Sequence, residues 1–470
     1  GDITKLYSCS SGTLNNLMQT IINSHGAKTS VNYLPMTNTS VYTKGSGATY
    51  PLIDLGAPIQ LVSSVITDNG TATPTTTTSY TYSGAKAHLQ GKGFLGFSKL
   101  TATNGASGVT TETNIGFDLT YYYPKVSSQI NKKGSTLLST ASYTWDQKII
   151  SGKRIFPYIS IASNTDNLTG HSKTNKYYYL ATNGNLDYVD IDYGNGHTHR
   201  KKYYYAQEDL SLYLIGRPTR LEETLSREGV TLSKSTNYLY WDNTKAVKSE
   251  SFNSGDPSSW SVTREFDTRG NVKKETRSAA GIASQTTEFT YDTSTGVNLE
   301  KVKNTNLGLE TIYTYYSATG LLKDETDPFG NKITYAYDNS DQLYTVTPTT
   351  GVTKTITRSY NITGGPSLAK FYVSETGSDN TAVKTWFDKT GKEIRNETKS
   401  FSGSMVKTDK EYHPSGLLSK FSEPSTGTPS TWNSYDYNVT DNRLNTFTPL
   451  YGPVETYSYS SKSVTRQVNG

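Results

Sequence analysis

An aromatic residue followed by a short polar turn recurs along the second half of the chain at nearly constant intervals. Phe266-Asp267 precedes Gly270, Tyr291-Asp292 precedes Gly296, and Tyr315-Tyr316 precedes Gly320. Phe387-Asp388 precedes Gly391, and Tyr412-His413 precedes Gly416. Tyr337-Asp338 and Tyr435-Asp436 carry the same pair with Asn or Asp doing the glycine's work. Gly270, Gly296 and Gly320 are spaced by 26 and then 24 residues, and Gly391 and Gly416 by 25. A fixed period in this range means a repeat architecture, in which each unit buries its apolar face on its neighbours.

One unit shows what the repeat builds. In Asp327-Pro328-Phe329-Gly330 the proline presets φ, and the glycine accepts the positive φ that ends a tight turn. Ile333, Tyr335 and Tyr337 then alternate with Lys332, Thr334 and Ala336, the period of a strand with two unlike faces. Residues 338–341 turn the chain again, and a second strand starts at Leu343. The unit reads as a β-hairpin.

Composition agrees with a thin sheet. Only 33% of the 470 residues are hydrophobic, low for a thick core, whereas 12% are aromatic, mostly the 37 tyrosines. Tyrosine offers large apolar area with a polar tip, which suits a sheet wetted on one or both faces. Plentiful aromatics, a charged fraction of 19% and sustained strand patterning argue against disorder. The formal charge of +5 is spread along the chain without a dense basic run, so nucleic-acid binding has little support. The single cysteine, Cys9, excludes internal disulfides and a Cys-rich metal site. Residues 6–9 resemble a lipoprotein cleavage box, but no apolar signal region precedes them, and no transmembrane stretch is visible. The chain opens and closes in mid-pattern, as expected of a fragment or processed piece.

Residues 14–22 place Leu14, Leu17, Met18, Ile21 and Ile22 at helical spacing, with Thr13 as a cap. The turn at residues 23–26 and the strand pattern from Ser30 to Leu34 favour a hairpin instead. Short strand patterns then follow at residues 41–45, 47–53, 62–66 and 78–83, ending in Gly91-Lys-Gly93-Phe94-Leu95-Gly96-Phe97. Strand patterns begin again at Tyr143, and residues 183–189 with Gly194-Asn-Gly196 form a further hairpin. Residues 212–221, Leu-Tyr-Leu-Ile-Gly-Arg-Pro-Thr-Arg-Leu, close this less regular region. Three segments result, continuous with one another: 1–100, an N-terminal β region; 101–235, irregular hairpins; and 236–470, the regular repeats.

The aromatic-Asp-x-x-Gly units resemble the YD repeats of Rhs (rearrangement hot spot) proteins, toxin-complex shells and teneurins. The Gly-Phe-Leu-Gly-Phe block and the Leu-x-Gly-Arg segment, in that order, resemble the region preceding the repeats in bacterial Rhs and insecticidal toxin-complex proteins. The resemblance covers roughly residues 25–460. It implies an all-β fold: antiparallel hairpins in a long, curved, spiralling β-sheet shell, a partial or open cocoon. It also implies a non-catalytic scaffold of an exported protein, secreted or at the surface of a Gram-negative bacterium. Such a scaffold encapsulates or presents a C-terminal toxin, an effector or a protein partner within a larger secretion or surface assembly. The alternative is a surface docking or adhesion module that binds a protein or glycan through its outer face. The ribbon reaches Gly470 without a cargo-like segment, which weighs toward docking.

Candidate chemistry is sparse. His197 and His199 share one face of a strand, and with Asp190 or Asp192 they could ligate a metal; the competing reading is a polar hairpin tip. Asp327-Pro-Phe-Gly330 is similar to the self-cleavage signature of the family, yet a standard repeat strand follows it, so an ordinary turn is the better reading. No Ser-His-Asp, Cys-His or nucleotide-binding pattern stands out. The triplets Tyr121–Tyr123, Tyr177–Tyr179 and Tyr203–Tyr205 could stack on sugar or peptide, but cross-strand packing fits a repeat lattice better. No enzyme activity, cofactor or membrane insertion is expected of this segment.

Overall fold

The computed structural model describes residues 17–150, 154–253, 256–460 and 463–469. Cys9, the proposed cap Thr13 and residues 14–16 lie outside them. The described residues form 37 β-strands and no helix. Thirty-four of these strands belong to one sheet and three to a small second sheet, Leu52–Asp54, Lys86–His88 and Gly93–Gly96. The ribbon begins where Thr20–Ile22 pairs with Lys28–Pro35, so residues 20–35 are a hairpin. From Lys99–Asn104 onward each strand pairs antiparallel with its sequence neighbour, ending at Val464–Asn469. Residues 100 and 235 lie inside strands, Lys99–Asn104 and Val230–Tyr240, and the ladder continues through both.

The repeat aromatic does two things in every unit. It stands at the last residue of a strand, or at Phe387 the last but one, and the pairing register slips immediately before it. This holds at Phe266, Tyr291, Tyr315, Tyr337, Phe387 and Tyr412. Such a slip is a β-bulge, which bends the strand and increases its twist. All these bulges fall on the same edge of the ribbon, so their bends accumulate in one sense.

The tyrosine hydroxyl then ties one unit to the one before. Tyr315 donates to the carbonyl of Leu299 at 2.8 Å, Tyr412 to Glu393 at 2.9 Å and Tyr437 to Leu418 at 2.8 Å. Tyr205, Tyr240 and Tyr459 repeat the bond to Leu186, Pro218 and Leu444. In all six cases the acceptor is the first residue of the strand leaving the preceding aromatic turn. Phe266 and Phe387 keep the position without the hydroxyl and stack instead, on Trp241 at 5.1 Å and on Phe371 at 4.9 Å.

The residue after the aromatic caps the turn. Asp267 accepts the amide N–H groups of Arg269 and Asn271, and Asp292 those of Thr295, Val297 and Asn298. Asp338 and Asp388 do the same for residues two and four further on. In the Asp338 turn Asp341 takes the left-handed φ of +58° that Gly270, at +92°, takes in the Asp267 turn. The pair assigned to Tyr435 and Asp436 requires correction. The bulge and the cap fall two residues later, at Tyr437 and Asn438, and Asn442 takes the positive φ. Tyr435 lies within the strand Trp432–Tyr437 and stacks on Phe447 at 4.9 Å, while exposed Asp436 accepts from Asn445.

Among the described residues two clusters are dry. Near the N-terminus Met36, Val41, Tyr42, Leu61 and Ala85 pack together, with Phe97 of the Gly-Phe-Leu-Gly-Phe block against them. Within that block Leu95 is buried, Phe94 is exposed, and Gly93 and Gly96 both have positive φ. Ala369, Trp386 and Ile394 form the second cluster, with Tyr372 and Tyr412 against it. Gly365 lies so close to Trp386 that a Cβ there would stand 2.4 Å from the indole ring.

Two outcomes follow from the tyrosine bond. Tyr412→Phe keeps the ring and leaves the Glu393 carbonyl without its donor, a loss of about 1 kcal/mol. Amide hydrogen exchange in the strands Glu393–Lys399 and Met405–Tyr412 should then quicken by about fivefold. Burial also raises the phenol pKa of Tyr315, Tyr412 and Tyr437, and burial with the Asp146 hydrogen bond pushes Tyr158 up to about 12. A raised folded-state pKa means stability that is complete below about pH 10 and is lost as pH climbs through the raised values. Thermal melting followed by circular dichroism should show the melting temperature flat from pH 7 to 9 and falling above pH 10.

Candidate functional site: a seam between turns of the ribbon

Two edges run along the ribbon. One carries the aromatic turns; the other carries the alternate turns, including Asp327-Pro-Phe-Gly330. The second edge of the first strands meets the aromatic-turn edge of strands more than 300 residues later, so the ribbon coils onto itself. Asn23 Nδ2 donates to the carbonyl of Lys389 across 366 residues of sequence. Lys389 Nζ lies 2.9 Å from Asp68 Oδ2, and Lys392 Nζ donates to the carbonyl of Asn69. Thr76 Oγ1 donates to the carbonyl of Pro414. Further along, Asn442 donates to the carbonyl of Ser107 and accepts from Lys133 Nζ at 2.5 Å. Among the described residues every hydrogen bond across this seam uses a side chain.

The tightest point is Gly70 against Asp388. Asp388 is fully buried; its Oδ1 accepts from the Thr390 amide and hydroxyl and from the Lys392 amide, while Oδ2 has no hydrogen-bond partner. Gly70 has φ of +73°, and a Cβ there would stand 1.7 Å from that Oδ2. Beside it, burial alone would raise the Asp68 carboxyl, but Lys389 and the Lys28 amide outweigh burial and hold it below its usual range. His25 stacks on Phe371 at 4.4 Å, extending the Phe371–Phe387 stack across the seam.

His197 and His199 are not brought to a common centre. His199 Nε2 is 3.1 Å from Glu223 Oε1, whereas His197 Nε2 is 3.8 Å from Glu228. The carboxylates available to complete a site have other partners. Asp190 takes Arg200 in a two-pronged pair, and Asp192 accepts the Gly194 amide. Glu223 itself gathers Lys201 and Lys234 as well as His199. Burial raises its carboxyl, and the hydrogen bonds from Lys234 and Lys201 more than reverse that. No group of three or more His, Cys, Asp or Glu side chains suited to a metal ion occurs among the described residues.

Asp327 caps its own turn, accepting the amides of Phe329 and Asn331 at 2.8 Å each, and Phe329 is exposed at the tip. In the tyrosine triplets the outer pair packs and the middle ring differs. Tyr203 and Tyr205 stack on one face, while Tyr178 stacks on Tyr188 at 4.1 Å on the other. Tyr122 takes a positive φ and packs against His88. The seam itself escaped sequence reasoning, because its partners share no motif and lie hundreds of residues apart.

These features define a class: a β-ribbon coiled into a wall, built from aromatic-turn repeats and locked by a side-chain seam. Residues 9–129 match the family described as the insecticide toxin TcdB middle/N-terminal region, and residues 316–353 match the RHS repeat. Over those residues the chain thus carries a TcdB-type middle region and an RHS repeat. No curated protein sequence matches it. Among solved structures it is similar to TcdB2-TccC3 without the hypervariable C-terminal region, with a TM-score of 0.71 and 8% identity. That match covers 97% of this chain and 36% of the other. A Tc holotoxin pore from Photorhabdus luminescens gives 0.70 and 8% over 96% and 35%, and TcdB2-TccC3-Cdc42 gives 0.68 and 8% over 95% and 36%. At such identity the likeness is one of fold, and the chain spans about a third of the length of those structures.

Two substitutions test the seam and the histidine pair. Gly70→Ala adds a methyl group where none fits and forces a strained φ, a cost of about 1–3 kcal/mol. Exchange protection should fall at residues 69–74 and 388–392 together, with the ladder of residues 260–340 unchanged. Glu223→Gln should lower the melting temperature more than His199→Ala does, because it leaves Lys201 and Lys234 without their carboxylate.

Proposed function

We propose that this chain is a non-catalytic wall segment of a toxin-complex-type shell, enclosing or presenting a protein cargo. The observation that carries this reading is the seam. A ribbon whose early turns lock onto strands more than 300 residues later forms a continuous wall, and such a wall separates what lies inside from proteases outside. The wall contributes confinement, with its strands held in ladders and carboxylates such as Asp267, Asp292 and Glu223 serving as turn caps or ion-pair partners. The fold shared with TcdB2-TccC3 supports the reading and suggests that a further RHS-repeat chain or segment completes the enclosure. The same kinship supports secretion from a bacterium.

A docking role is the second reading, and one loop favours it. Between Tyr205 and Pro218 the aromatic turn is expanded, and Leu210 and Tyr213 stand 70% and 79% exposed. An apolar tip of this kind suits contact with a protein surface.

The test is purification of the native protein followed by mass spectrometry and limited proteolysis. A co-purifying effector that resists protease until the shell is denatured is the expected result. An unrelated surface protein in fixed ratio, digested as readily as when free, would overturn enclosure and establish docking.

A further inference from the structure

Opposite polar residues on this sheet commonly satisfy each other. Thr103 bonds Thr110, Asn114 bonds Ser128 and Ser163 bonds Thr174, each at 3.0 Å. One row does not. Gln129, Ala141, Asn164 and Lys173 stand opposite one another across the strands Pro124–Lys133, Thr136–Ile150, Arg154–Asp166 and Ser172–Tyr179. Ala141 is too short to reach either neighbouring amide, so it forms a floor between them. The result is a groove of about 510 Å³.

Tyr143, two residues along the same strand, shares the face of Ala141. Tyr193 also lines the groove, with Lys173 Nζ 5.4 Å from its ring centroid. The Gln129 and Asn164 amides and the Tyr143 hydroxyl, all in the lining, make no side-chain hydrogen bond among the described residues. The groove's carboxylate is already engaged: Asp166 Oδ1 accepts the amides of Leu168 and Thr169.

We propose that this groove binds a short stretch of neutral oligosaccharide. Each unpaired amide offers a donor and an acceptor side by side, the pattern that adjacent sugar hydroxyls complement. A tyrosine face takes the apolar C–H side of a pyranose ring, and the phenol tip takes a hydroxyl. The open, trough-like shape suits a linear chain. An extended peptide fits less well, because it docks by adding a strand to a free edge. All four strands here are hydrogen-bonded on both sides. The proposal rests on this groove alone and stands apart from the shell reading.

The experiment is saturation-transfer NMR and calorimetry on the intact chain with cellohexaose, chitohexaose, maltohexaose and mannohexaose. At least one should bind with Kd of about 0.1–1 mM. Ala141→Leu fills the floor and should weaken that binding at least about tenfold. Tyr143→Phe, which keeps the ring, should cost less. Should Ala141→Leu disturb the melting curve, the Gln129→Ala/Asn164→Ala double variant only removes atoms and should give the same loss. Absence of binding by all four sugars at about 10 mM, or full binding by the well-folded filled-groove variant, overturns the proposal.

Discussion

A long antiparallel ribbon satisfies its backbone only if each strand keeps its ladder on both sides, and a continuous ladder has no inherent reason to close on itself. Sheet twist alone would coil it loosely. The bulge before each repeat aromatic resolves this. It removes one pairing at the same edge wherever it occurs, so the bend is added repeatedly while the remaining ladder stays intact. Where the aromatic is Tyr315, Tyr412 or Tyr437, its hydroxyl then fixes the bend by binding the first carbonyl of the strand leaving the preceding aromatic turn. The capping aspartate holds the turn that the bend creates. The coil of the wall, and with it the meeting of its edges at the seam, depends on that position.

Energetically the molecule is a chain of neighbours. Its two dry clusters are small, and the intervening strands are mostly half-buried, so stability is a sum of unit and interface contributions. The seam differs in kind. Its contacts are side-chain hydrogen bonds, an ion pair and a ring stack, each contributing about 1 kcal/mol or less. The ladder within a turn is therefore the stronger element and the seam the weaker, and local opening is expected along the seam first.

The hairpins, their edge turns and the repeat period were readable because they arise from neighbouring residues. Asp267, Asp292, Asp338 and Asp388 announce their caps by spacing alone. The misplacement at Tyr435 has a physical source. Tyr435 and Tyr437 alternate on the same face, and both are followed by a residue able to cap a turn; only the position of the bulge distinguishes them. Asp327-Pro-Phe-Gly330 caps its turn in the same way but on the other edge, a distinction carried by strand count and not by the motif. The histidine pair was legible as two residues and illegible as a site, since its fate depends on Glu223 and Glu228 of a neighbouring hairpin. The groove at Ala141 depends on the register of four strands, which no local pattern reports.

The cross-seam partners also govern how such a chain can change in length. Lys389 meets Asp68, and Asn442 meets Ser107, only because a set number of strands lies between them. Losing or gaining one repeat inside that interval would carry every later aromatic turn one place past its counterpart, and Asp388 would no longer arrive at Gly70. Repeats outside the interval carry no such penalty. The circumference of the coil is thus fixed in whole units, while its height is free to grow.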